Sequence, residues 1–165
     1  MSLRTIFSFL LLFTALPTSA QDAPQLSVYD FNPARGNWTG SLMHRDETTK
    51  NFVALTAELK VEMLPVQSAI VFTWSPATRF RPLATDTVRI EKDGTLFGGF
   101  VFSQRRTYDN GVVELIFQQE RKSDGATLRL EYNLGNGRLL IREKLRALNS
   151  QRWEVLKMWE LLPAP

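Results

Sequence analysis

From residue 36 onward, the apolar residues of this chain recur at every second position. Val53, Leu55, Ala57, Leu59, Val61 and Met63 alternate with Phe52, Ala54, Thr56, Glu58, Lys60 and Glu62, and Leu128, Leu130, Tyr132 and Leu134 alternate in the same way with Thr127, Arg129, Glu131 and Asn133. A period of two sends successive side chains to opposite faces of an extended strand, so one face is apolar and the other is wetted. Turn sequences recur between such runs, at Lys92-Asp93-Gly94, Asp109-Asn110-Gly111, Ser123-Asp124-Gly125 and Gly135-Asn136-Gly137. Their Gly, Asn and Asp accept the positive φ that tight hairpins require. The pattern predicts nine strands, at about 36–45, 51–63, 68–75, 86–92, 95–108, 112–122, 126–135, 138–147 and 152–161.

Register tests this pattern, because a one-residue slip turns a strand's whole apolar set toward water. A two-residue turn at Asn136-Gly137 sets Leu134 opposite Leu139, Tyr132 opposite Ile141 and Leu128 opposite Leu145. One at Asp124-Gly125 sets Phe117 opposite Tyr132, and one at Asn110-Gly111 sets Tyr108 against Val113 and Gln104 against Phe117. A three-residue turn at Lys92-Asp93-Gly94 keeps Ile90 beside Leu96, and a turn at Val66-Gln67 brings Met63 to Ile70 and Leu59 to Trp74. Each turn keeps apolar residues on one continuous face. A flat sheet of this kind leaves two open edges; closure removes them and turns the shared face inward. The expected fold is all-β, an antiparallel up-and-down meander of about 8–10 strands closed into a single barrel over residues 36–165. Gly98-Gly99 is expected to form a bulge or sharp bend that aids closure. The Leu, Glu, Lys and Arg content of residues 138–162 also suits a helix; the match of Leu139, Ile141 and Leu145 across the Asn136-Gly137 turn favours strand.

Residues 1–20 divide as an export signal does, with Arg4 as the positive start, Thr5 to Leu16 as the apolar run and Pro17-Thr18-Ser19-Ala20 as a small-residue cleavage site. That run falls well short of the roughly 20 residues that span a bilayer, so no transmembrane segment is expected. Residues 21–35 then form an N-terminal plug segment. With no Cys in the chain, disulfide scaffolds, Cys-ligated metal, cysteine nucleophiles and a lipid-anchored N-terminus are excluded, and the bacterial periplasm is the expected compartment. After removal of the signal the net charge is +2, with no clustered basic stripe, so no nucleic-acid partner is expected.

Phe31 followed by Gly36-Asn37-Trp38 at the start of the first strand resembles the G-x-W signature of the lipocalins and related calycin barrels. The resemblance covers the mature chain loosely and implies that Trp38 closes the barrel base under an arginine from near the chain end. Arg142, Arg146 and Arg152 are the candidates for that arginine. The sequence departs from the family in having Thr107-Tyr108-Asp109 in place of a T-D-Y order, and in lacking the disulfide of the animal members.

Strand counting places the loops at 46–50, 75–85, 109–111 and 135–137 at one open end, the mouth, with the plug segment at the other. The 75–85 connection is the longest and carries Phe80 between Arg79 and Arg81, the makings of a binding lid or of a bridge across a barrel corner. His44 lies about 20 Å along its strand from Trp38, near the mouth. Arg106 and Tyr108 are expected on the same rim, with Trp74 just inside, an aromatic wall with cationic ends suited to an amphipathic anion such as a fatty acid. Glu143 interrupts the apolar face opposite Leu130, with Lys157 directly across. Tyr132 is one of the aromatics filling the interior. The candidate ligand-binding residues are thus His44, Trp74, Phe80, Arg106, Tyr108, Tyr132 and Glu143.

The acids Asp93, Asp109 and Asp124 are explained by their turns. No carboxylate pair, phosphate loop or Ser–His arrangement stands out, and no catalytic residue, metal or cofactor is assigned. Three readings follow: a barrel that binds a small apolar or amphipathic ligand, a packed barrel acting as an envelope-associated interaction module, and a small isomerase- or cyclase-type enzyme acting through His44 or Glu143. Eight or nine strands enclose a lumen just wide enough for side chains or one small ligand.

Overall fold

The computed structural model describes residues 24–46, 48–76 and 84–165. The segment read as an export signal, and Phe80 with its loop, lie outside these residues. Ten strands form one antiparallel sheet closed on itself: β1 Gly36–Arg45, β2 Phe52–Leu64, β3 Ala69–Pro76, β4 Ala84–Glu91, β5 Leu96–Phe97, β6 Phe100–Thr107, β7 Val113–Glu120, β8 Thr127–Gly135, β9 Arg138–Arg146 and β10 Glu154–Pro163. Each pairs with its sequence neighbours, and β1 pairs with β10 from Trp38↔Pro163 to His44↔Lys157.

The count of ten corrects the expectation of nine, and the difference has a geometric reason. In an up-and-down meander alternate strands reverse, so an odd number would bring the last strand parallel to the first. The extra reversal is made at Gly98-Gly99, where φ values of 56° and 84° form a tight hairpin that pairs Phe97 with Phe100. Two successive residues at positive φ are cheap only for glycine or a few short polar residues.

The register follows the turns, with three corrections. Leu134↔Leu139, Tyr132↔Ile141, Leu128↔Leu145, Met63↔Ile70 and Leu59↔Trp74 are paired as predicted. Phe117 faces Leu130 rather than Tyr132, because the loop is four residues long. The Asp124 carboxylate pairs with Arg121 and accepts from the Ala126 amide at 3.1 Å, which holds the longer loop, and a shift of two leaves the inward face unchanged. At Lys92–Thr95 a four-residue loop with Lys92, Asp93 and Gly94 all at positive φ pairs Ile90 with Phe97 instead of Leu96.

The third correction moves predicted site residues. The turn after β6 has three residues, with the Tyr108 amide donating to the Val112 carbonyl at 2.9 Å. Arg106 therefore pairs with Glu114, and Arg105 with the inward-facing Leu115. A bulge at Ser103 restores the pattern, so that Phe102 meets Phe117, and the Ser103 hydroxyl donates to the Ile116 carbonyl at 3.0 Å. The slip exchanges Arg106 for Arg105 on the inner face.

One end of the barrel is filled from the N-terminal side. A 3-10 helix at Val28–Ala34 is capped by Ser27, whose hydroxyl accepts from the Tyr29 amide while its own amide donates to Asp30 at 2.7 Å. The helix delivers Phe31, fully buried, against Phe97 at 5.1 Å, Tyr132 at 5.5 Å and Phe72 at 6.3 Å between ring centres. Arg105 ties the plug in place through an ion pair with Asp30, and the Leu26 amide donates to the Gly94 carbonyl at 2.9 Å. The Trp38 indole donates to the Ala34 carbonyl at 2.7 Å. None of the three candidate arginines covers Trp38. Arg142 points outward beside Glu131, Arg146 lies over the Trp153 ring at 4.8 Å, and Arg152 is in the 147–153 connection. The cause is direction: β9 starts at the plugged end, so the arginines late in it and after it end far from Trp38.

Two substitutions test this packing. Phe31→Ala removes a ring from the centre of the aromatic cluster and should cost about 3–5 kcal/mol, read as a lowered urea midpoint. Gly40→Ala would place a Cβ 2.1 Å from the Glu160 carbonyl oxygen across the closing pair. It should cost about 1–3 kcal/mol, a fall of roughly 3–10 °C in the thermal midpoint; an unchanged midpoint would contradict the closure.

Candidate functional site

The inward residues of one strand divide the barrel into two halves. Along β2, Ala57, Leu59 and Val61 are buried, with Leu59 at 2% and Val61 at 1% exposure. Toward the other end of the same face, Val53 and Leu55 remain 39% and 40% exposed. Side chains two apart share a face, so the inner face of β2 is packed near the plug and accessible toward the mouth, past Ala57, the last of its residues paired with β3. The floor of the open half is made by Phe72 and Tyr132, whose rings lie 6.2 Å apart.

Gly40 of β1 faces Ala57 of β2, two small residues between the strands that bear the large ones. Trp74 from β3 and Trp159 from β10 meet with ring centres 5.4 Å apart. Both indoles are half-buried. One layer higher, His44 is registered against Lys157, and Lys157 against Glu143, placing three polar groups side by side on β1, β10 and β9. The Lys157 ammonium lies 3.1 Å from the Glu143 carboxylate.

The rim is closed on this side by a second ion pair, Arg45 to Glu154 at 2.8 Å, and by the turn after β1. There Asp46 accepts from the Thr49 amide at 2.6 Å, the Thr49 hydroxyl at 2.9 Å and the Thr48 amide at 3.0 Å. Those donors, the Thr49 amide first, hold the Asp46 carboxyl below the usual carboxylate range. A cleft of about 830 Å³ runs between this turn and the ends of β9 and β10, lined by His44, Asp46, Lys50, Glu143, Leu145 and Lys157 among others.

Tyr132 joins floor and rim electrostatically. Burial pushes its phenol well above the ordinary tyrosine value, and the carboxylates of Asp86 and Glu143 push it further in the same direction. Asp86 faces inward from β4 opposite Phe72. It stays exposed because β4 pairs with β5 only at Ile90↔Phe97 and Glu91↔Leu96, leaving the wall beside Asp86 without a bonded neighbour strand among the described residues.

The structure thus brings together His44, Trp74, Tyr132 and Glu143. It does not bring Arg106 and Tyr108 to them. Both are on the outer face at the plugged end, where the Tyr108 hydroxyl donates to Glu114 at 3.1 Å and Arg106 lies 3.9 Å from the same carboxylate. The ten-strand count sends the 109–111 and 135–137 turns to that end, and the three-residue turn after β6 rotates Arg106 and Tyr108 outward. Phe80 falls outside the described residues. Trp159, Lys157, Asp86, Val53 and Leu55 share the inner face with them and were absent from the predicted set, although Asp86 alternates with Val88 and Ile90 and so carried the signal of an inward residue. Among the described residues no group of three His, Asp or Glu side chains is placed to hold a metal ion, and no helix is long and apolar enough to cross a membrane.

The Tyr132 environment is testable by alkaline titration. In a Tyr29→Phe/Tyr108→Phe protein, Tyr132 is the only tyrosine left. Its folded state holds the proton that the unfolded chain releases near pH 10. This contribution to stability is complete below that pH and declines as the pH rises through it. Phenolate absorbance at 295 nm should therefore appear together with loss of β circular dichroism, not before it.

No protein-family model matches the chain, and no curated protein matches it. Among solved structures, the crystal structure of Rv2717c from M. tuberculosis superposes with a TM-score of 0.56 at 13% sequence identity, covering 86% of this chain and 100% of that one. At such identity the likeness is one of fold: the chain is a ten-stranded antiparallel closed β-barrel with a structural neighbour of the same fold.

Proposed function

We propose that this protein is an exported, lipocalin-like barrel that binds a small apolar or amphipathic ligand in its open half. The observation that carries the reading is the exposure of Val53 and Leu55 on the inner face of a strand whose lower inward residues are fully buried. Apolar side chains facing inward yet left accessible form a concave surface of the kind small molecules fill. The Trp74–Trp159 pair supplies aromatic area, and His44, Lys157 and Glu143 supply polar handles at one side of the rim. The position of Trp38, inside the closed base below Ala34, supports the lipocalin-like comparison. The signal-like division of residues 1–20 supports export to the periplasm. The filled lower half favours a second reading, an envelope-associated barrel whose outer surface meets a partner.

Native mass spectrometry of protein expressed from the full precursor and released from the periplasm tests this reading. The expected result is the mass of residues 21–165 plus an adduct that disappears on denaturation and is recovered in a solvent extract. A protein retained in the cytoplasm at full length would contradict export. A bare mass, with no quenching of tryptophan fluorescence by any small apolar or amphipathic compound, would leave the interaction reading in its place.

A further inference from the structure

We infer that the ligand is a compact, planar aromatic acid rather than a long acyl chain. This rests on the ligand-binding reading above and narrows it to a chemical class. Depth is the first argument. From the buried Ala57 to Val53 the inner face of β2 rises four residues, about 13 Å of strand. Below that level Phe31, Phe72, Phe97, Phe117 and Tyr132 fill the lumen, all buried. An extended chain of sixteen carbons is about 20 Å long, so roughly a third of it, about 7 Å, would have to lie across the rim in water, where it gains no burial. One or two fused rings fit the depth.

The walls give the shape. Trp74 and Trp159 present half-buried indoles in the layer beneath the rim, and flat rings favour offset stacking or edge contact with another ring. The polar groups give the charge. At the rim the Glu154 carboxylate is paired with Arg45, Glu143 with Lys157, and Asp46 is occupied by Thr48 and Thr49. The Lys157 ammonium has three N–H donors and gives one to Glu143, so it retains capacity toward an anion, with the His44 ring registered next to it. Asp86 stands on the opposite wall, on β4. A carboxylate would therefore settle on the β1–β10 side, away from Asp86, with the ring directed down onto the tryptophans.

Titration of the mature protein with 2-naphthoate, 2-naphthalenemethanol and palmitate, read by quenching of tryptophan fluorescence, tests the inference. The expected result is saturable one-to-one binding of naphthoate, with palmitate weaker. Lys157→Met should weaken naphthoate about tenfold, as loss of a partly solvated charge-assisted hydrogen bond implies, and leave the neutral alcohol unchanged; unchanged alcohol binding also shows that the variant is folded. Leu55→Trp, which fills the open half from β2, should abolish both. Palmitate binding as tightly as naphthoate, or naphthoate affinity indifferent to Lys157→Met, overturns the inference while leaving a ligand-binding barrel. Failure of all three compounds to bind overturns both.

Discussion

Pairing of β1 with β10 is the constraint on which the rest depends. It converts a meander with two open edges into a sheet with none, and only then does the shared apolar face become an interior. Antiparallel closure requires an even number of strands, which makes the short Leu96–Phe97 strand and its glycine hairpin part of the closure as well as of the core, where Phe97 is buried against Phe31. The closing pair also approaches tightly: Gly40 lies so near the Glu160 carbonyl that no side chain fits between them. The same glycine lies on the inner face of β1, opposite Ala57 of β2.

The barrel spends its two halves differently. In the lower half, plug and strands make one aromatic cluster around Phe31, and stability resides there. In the upper half, inward positions carry Glu143, Lys157, His44 and Asp86. A buried ion pair costs more in desolvation than it usually returns, but Lys157 is about half exposed and Glu143 keeps some water, so the cost is reduced. Polar residues gather on the inner face of the upper half, where the packing stops, while at the plugged end Arg105 is matched by Asp30.

Much of the fold was legible in local pattern. Period-two alternation marked the strands, and the Asn136-Gly137 turn set the β8–β9 register correctly because that hairpin is as short as its sequence implies. The misses share a cause. The turn before β8 is longer because the Asp124 carboxylate braces it against Arg121; the turn after β6 has one residue more, and Ser103 absorbs the slip in a bulge. Side-chain bonds within loops decide loop length, and one residue of loop decides which face a strand presents. Glu131 shows the same limit on the outer face. Alternation marks it as a wetted residue, yet it is buried, with Lys144 at 2.8 Å, Arg129 at 2.9 Å and Arg142 at 3.6 Å around it.

Alone, the sequence determined that this chain is all-β, that most of its hairpins join consecutive strands, and which residues of β1, β2, β8 and β9 face inward. These follow from a two-residue period, a property of single strands and adjacent pairs. Only the tertiary structure decided that there are ten strands, that Arg105 and not Arg106 reaches the plug, and that Trp74 and Trp159 meet. It also decided where the lumen is full and where it is open. Those outcomes depend on distances between elements far apart in the chain, set by closure and by the volume of what lies inside, and no local period encodes either.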